Sequence, residues 1–336
     1  MRLALDAMGG DAAPQAMVAG AVGYASRTPE HQVILVGQEP AIRDALHALG
    51  NKAAQLDNLV IEHAPEVIAM GDKISALRER PDDSMNVCTR MVKQGKADAT
   101  VLCGNTACSV AAAQLHLRRI PGVKRAGILT PLPTLTGQTW VIDCGANAVG
   151  KPEHLVQFAE MAAAFLQRFE GRQRPRIGVL NIGSEESKGD DLTTDTLDRL
   201  RESDLNVLGN VEGNDIYKGV VDIVVCDGFT GNVVLKTSEG IASTIGKILK
   251  QEIQQSLLAK IGALFMRGAF RRLKERTSWT KVGGCLLLGV DGVTIIGHGR
   301  SDATAVTNAL DTAARCVDSG IVEHLRQQKA PASQVA

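Results

Sequence analysis

What most constrains this chain is a rhythm. Short runs of branched apolar residues alternate with helical patterns, and most runs stop at a glycine-rich polar loop. Strands are expected at 2–5, 32–36, 59–62, 99–102, 140–142, 176–180, 223–226 and 293–296. Helical patterns fall at 14–24, 42–49, 84–94, 106–117, 154–169, 193–200 and 303–317. Such alternation predicts an α/β fold: a three-layer sandwich around a mostly parallel sheet, because parallel strands need crossover helices on the sheet faces. One stretch breaks the rhythm. Residues 231–279 read as helix throughout, a helical lobe or arm within a body spanning 1–330, with 331–336 a frayed tail.

Composition narrows what such a body does. Lys plus Arg and Asp plus Glu are 37 each among 336 residues, so there is no global electrostatic case for nucleic acid. Aromatics are only 3%, which leaves few stacking platforms for bases or sugars. The seven cysteines are odd in number and lack a Cys-x-x-Cys, so they read as buried thiols in a reducing compartment. No leader pattern and no 18-residue apolar run occurs, so the expected location is cytoplasmic.

The polar residues collect in six loops after strands: 6–11, 103–106, 143–147, 181–190, 227–232 and 298–302. If all strands were parallel, these loops would share one edge and form a long composite site. Backbone N–H groups at Gly9, Gly10, Gly104 and Gly231 suit an anion, with Asp11, Asn105, Thr106, Asn232 and Lys188 nearby in sequence. His298 and Arg300 follow a strand directly. Dinucleotide, P-loop, serine-elbow and zinc-protease signatures are all missing from the sequence, so no cofactor and no metal are expected. Cys103 is the best-placed thiol nucleophile, although a buried thiol in an apolar strand explains it more simply.

Residues 256–276 carry an amphipathic signal. Leu257, Leu258, Ile261, Leu264 and Phe265 form an apolar side; Lys260, Arg267, Arg271 and Lys274 form a basic one at steps of seven, four and three. Such a helix docks an acidic protein, lies on an anionic membrane, or simply faces the core with a solvated basic side.

The loops resemble a known family. Leu5-Asp-Ala-Met-Gly-Gly-Asp11, Gly104-Asn105-Thr106, Lys151-Pro-Glu-His154, Glu185-Glu-Ser-Lys-Gly189, Gly209-Asn-Val-Glu-Gly213, Val225-Cys-Asp-Gly-Phe-Thr-Gly-Asn-Val233 and His298-Gly are similar to the bacterial phosphate acyltransferases of the PlsX type. The match runs in one register from residue 3 to about 320. The chain departs from the family pattern at Ala107, Cys108, Val282 and Arg300.

The resemblance implies a homodimer with an isopropylmalate dehydrogenase-like or phosphotransacetylase-like fold. It also implies a reaction in which inorganic phosphate attacks the thioester of acyl-acyl carrier protein, giving an acyl phosphate for a downstream glycerol-3-phosphate acyltransferase. Lys188, His298, Asp227 and Asn232 then become the expected catalytic residues, with His298 a candidate thiolate partner and Asp227 placed to orient a cation. A coenzyme A phosphotransacetylase, a dehydrogenase and a non-catalytic carrier-binding scaffold remain as alternatives.

Overall fold

The computed structural model describes residues 1–277 and 283–329; Val282, the end of the expected arm at 278–279 and the expected tail at 331–336 lie outside the described residues. Eleven strands form one sheet in the order β3 (Leu59–His63), β2 (Gln32–Gly37), β1 (Arg2–Asp6), β4 (Ala99–Leu102), β11 (Val293–Ile296), β10 (Cys285–Leu288), β5 (Gly127–Pro133), β6 (Gln138–Ile142), β9 (Ile223–Val225), β7 (Arg176–Leu180) and β8 (Asn206–Val211).

Alternation along each strand sorts side chains to opposite faces. Leu3 and Leu5 of β1 join a core with Met17, Tyr24 and Val306, from α1 (Gln15–Ala25) and α13 (Ala303–Asp318). Ala4, between them, packs with Met85, Cys88 and Ala112 from α5 (Ser84–Lys93) and α6 (Thr106–His116) on the other face. This is the three-layer arrangement read from the sequence.

Strand direction differs from that reading and matters for the site. From β3 to β11 the neighbours are all parallel. From β6 to β8 they are again parallel. Between these blocks, β10 and β5 pair antiparallel with each neighbour. Three successive reversals leave the two blocks running in opposite directions. The six polar loops therefore do not share one strand edge. Those after β1, β4 and β11 form one set, and those after β6, β7 and β9 form a second.

Three strands were not legible. β5 reads Gly-Ile-Leu-Thr-Pro-Leu-Pro, and its prolines mask it. β8 contains Gly209 at positive φ beside a register shift against β7. β10 is Cys-Leu-Leu-Leu, without a β-branched residue.

The arm is three helices: α10 (Gly228–Gln255), α11 (Leu257–Phe265) and α12 (Arg267–Thr277). Residues 256–276 are not one continuous helix. Ser256 is extended (φ −128°, ψ 134°), and its hydroxyl caps α11 by accepting from Ala259 N at 3.3 Å. Lys260 therefore lies on α11, while Arg267, Arg271 and Lys274 lie on α12, and the seven-step between Lys260 and Arg267 is not a helical spacing. No described helix is long and apolar enough to cross a membrane.

Candidate functional site

The first loop set is built around Asp6, where β1 ends. Its carboxylate accepts from Met8 N at 3.0 Å and from Gly9 N–H, and burial pushes its pKa above the usual carboxylate range. Gly10 sits at φ +98°, and a Cβ there would lie 2.8 Å from Gly299 O and 2.9 Å from Cys103 O. Only glycine lets the three chain segments approach this closely. Asp11 N donates to Gly299 O at 2.7 Å, which ties the β1 loop to the β11 loop. Asn105 caps α6 by accepting from Cys108 N at 3.1 Å, and its amide donates to Met70 O and Asp72 O. The first-turn N–H groups of Thr106 and Ala107 have no intrahelical acceptor, and both residues are exposed.

The second set is organised by Asp143, which is fully buried. Its carboxylate accepts from the backbone N–H of Ile128, Gly145, Ala146 and Asn147, and from the Asn147 amide, at 2.8–3.1 Å. The start of α10 presses on this loop. A Cβ on Gly228 would lie 2.5 Å from Asn147 O, and one on Gly231 would lie 2.0 Å from Asp143 O. The two glycines of Asp227-Gly-Phe-Thr-Gly-Asn232 are thus required by close approach. Exposed Asn232 stands over Gly145 at the top of that contact. Lys188 is exposed in the 181–190 loop, pinned by its own backbone to Glu185 and Asn181, and no ion pair engages its amine among the described residues.

A helix joins the two sets. Asn232 and Lys236 are one turn apart on the same face of α10. Lys236 Nζ lies 2.8 Å from His298 Nε2, at the end of β11. Glu239 Oε2 lies 3.2 Å from Lys236 Nζ, 2.9 Å from Arg300 Nη2 and 3.4 Å from His298 Nε2. Burial alone would raise the Glu239 carboxyl, but its hydrogen bond with His298 and the Lys236 charge hold it below the usual range. Three cationic or protonatable groups are thus clustered on one half-buried carboxylate.

Several expected roles change. The N–H groups of Gly9, Asp11 and Gly231 already have protein acceptors: Asp6, Gly299 O and Asp227 O. Asp227 pairs with no cation among the described residues; it caps α10, accepting from Phe229 N and Thr230 N at 3.0 Å and from the Thr230 hydroxyl at 2.6 Å. Gly10, Gly104, Asn105 and Thr106 stay together at the first set. Cys103 is buried, and burial pushes its thiol up to about 12, which leaves almost no thiolate for nucleophilic attack. Lys236 and Glu239 were missed, although their spacing of four and seven from Asn232 is visible in the sequence. Arg300, one of the expected departures from the family pattern, pairs with Glu239 at 2.9 Å.

A family model described as fatty acid synthesis protein matches residues 1–324. A phosphate acyltransferase of Trichlorobacter lovleyi is 45% identical, covering 98% of this chain and 94% of its own length. One from Elusimicrobium minutum is 44% identical, covering 100% and 98%. The chain belongs to the phosphate acyltransferase family. Its fold is also that of a Streptococcus pyogenes phosphotransacetylase, with a TM-score of 0.61, 17% identity, and coverage of 96% of this chain and 94% of the other. In this phosphate acyltransferase, Lys188, Lys236, His298 and Arg300 are cationic or protonatable groups set along one helix and two loop sets, and the strand-end thiol of Cys103 is buried.

Proposed function

We propose that this protein moves an acyl group from the thioester of acyl carrier protein to inorganic phosphate. A phosphate oxygen attacks the thioester carbonyl carbon. The C–S bond breaks with its electron pair on sulfur, and the proton of hydrogen phosphate ends on the carrier thiol. The products are acyl phosphate and free carrier, and the acyl phosphate supplies phospholipid synthesis through a glycerol-3-phosphate acyltransferase. The observation that carries this reading is the Lys236–His298–Glu239–Arg300 cluster, one helical turn from Asn232. A dianion needs cations to hold it and the developing oxyanion needs donors, and little other chemistry is demanded of the protein. Lys236, His298 and Arg300 hold the phosphate, with the first turn of α6 at Asn105 and Thr106 on its far side. Lys188 and the Asn232 amide serve the carbonyl oxygen.

The test is an assay with hexadecanoyl-acyl carrier protein, with and without inorganic phosphate, trapping acyl phosphate with hydroxylamine. The expected result is a phosphate-dependent hydroxamate formed in step with free carrier. Folded protein that binds carrier and makes none would leave the scaffold or coenzyme A reading in its place.

The arm fits the same reading. The exposed basic residues Arg267 and Arg271 on α12, with Lys260 on α11, suit an acidic carrier, with Lys274 further along α12. Leu257, Leu258, Leu264 and Phe265 are 67–85% exposed on α11 and suit the inner face of the cell membrane. Ile241, Ile245 and Ile248 form an exposed stripe on α10 that suits a second copy of the chain. Reversing Arg267 and Arg271 together to Glu is expected to raise the carrier KM about tenfold at low salt, with the phosphate KM unmoved. An unchanged carrier KM removes the docking role.

A further inference from the structure

We infer that a crevice between the 181–190 loop and the start of α10 receives the alkyl chain of the acyl group, as a specificity site distinct from the charged cluster. The inference rests on the acyl-transfer reading above. The crevice has a volume of about 380 Å³, and its walls include Leu155, Leu180, Ile182, Leu192 and Cys226. That is the low end of ligand-site volumes. At about 30 Å³ per group, the share of a water molecule in the liquid, it holds about a dozen methylene-sized units.

Three observations select an alkyl chain as the occupant. First, most of the exposed wall is apolar, while the five polar residues that also border it are already engaged: Asn181 with Lys188 O and Ile182 N, and Asp190, Thr193, Asp227 and Thr230 in capping α8 (Asp191–Arg201) and α10. A polar ligand would find few free partners there. Second, Ile182 on its wall is 83% exposed, and Phe229, between the wall residues Asp227 and Thr230 in the chain, is 66% exposed. Exposed apolar side chains gathered at a groove mark a binding surface. Third, the two segments that wall the crevice also carry the residues proposed for the reacting end. Gly189 follows Lys188, and Thr230 lies two residues before Asn232. A thioester carbonyl served by Lys188 and Asn232 would have this apolar crevice in the same two segments for its tail. Gly150 keeps that crevice open, since a Cβ there would lie 2.9 Å from Leu155 Cδ1 and 3.4 Å from Leu192 Cδ2.

The experiment measures kcat/KM for butanoyl-, decanoyl- and hexadecanoyl-acyl carrier protein in wild type, Leu192→Trp and Ile182→Ser. Leu192→Trp fills the crevice. It is expected to lower kcat/KM for the hexadecanoyl substrate at least tenfold and for the butanoyl substrate less than twofold, with the phosphate KM unchanged. Ile182→Ser removes only an exposed side chain and is expected to give the same length-selective loss, about threefold. It decides the matter should Leu192→Trp not fold. Equal losses at every chain length would place the carrier's pantetheine arm in the crevice and overturn the inference, as would no loss in either variant. Wild type inactive on all three thioesters would instead overturn the acyl-transfer reading itself.

Discussion

Replacing Lys236 by Ala is expected to raise the phosphate KM between ten- and a hundredfold, and replacing His298 by Ala to lower kcat about a hundredfold. The first figure is the loss of one charge-assisted hydrogen bond to a dianion. The second is the loss of one positioned proton carrier. The two residues touch, at 2.8 Å, yet their losses separate by kinetics. His298 Nδ1 accepts from the Arg300 backbone N–H, which places the ring proton on Nε2, the nitrogen that faces Glu239 and Lys236. With phosphate held by Lys236, that Nε2 proton stands beside the reacting groups. Removing Lys236 should therefore fall chiefly on phosphate binding, and removing His298 on turnover. Lys236→Arg keeps the charge and is expected to recover most of the phosphate affinity. Glu239 holds Lys236, His298 and Arg300 from below, so it is a positioning residue. Equal effects of Lys236→Ala and His298→Ala on KM and kcat, with no recovery by Arg, would mean that the pair only braces α10 against β11.

How far the sequence reaches is visible in the same residues. Strand and helix alternation gave the layers, because the apolar period of two and the helix caps are local properties. The reversal at β10 and β5 was not legible. It depends on which strands pair across the middle of the sheet, and β5 and β10 themselves carry weak strand signals. The assumption of one shared edge followed from that omission. His298 was visible because it follows a strand directly. Lys236 was hidden by its place two turns into a long helix, where charges are usually solvated. Gly231 was legible as a required glycine, but its reason was not. It is space for Asp143 O, and its own N–H is already spent on Asp227 O. A motif thus marks where the chain is constrained without saying whether a ligand or another loop imposes the constraint.

Asp143→Ala is expected to cost about 4 kcal/mol or more of unfolding free energy, measured by urea titration. Few surface or core changes cost so much, and the reason here is specific. The carboxylate is fully buried and is the acceptor for four backbone N–H groups and one side-chain amide. Burial pushes its pKa up, while the same donors pull it back. Truncation leaves those donors without a partner in a space too tight for easy hydration, and each unsatisfied group costs roughly 1–3 kcal/mol. Asp143→Asn keeps one acceptor oxygen but turns an amide toward Asn147 N–H and Nδ2, so it should lie between wild type and Ala. The effect should also reach the chemistry. The loop that Asp143 holds is the surface on which Gly228 and Gly231 seat α10, and α10 carries Asn232, Lys236 and Glu239 into the site. Residual folded Asp143→Ala protein is therefore expected to bind carrier normally and turn over slowly. A loss of less than about 1 kcal/mol would mean that water replaces the carboxylate and that α10 is positioned by its other contacts, with β5, β6 and His298.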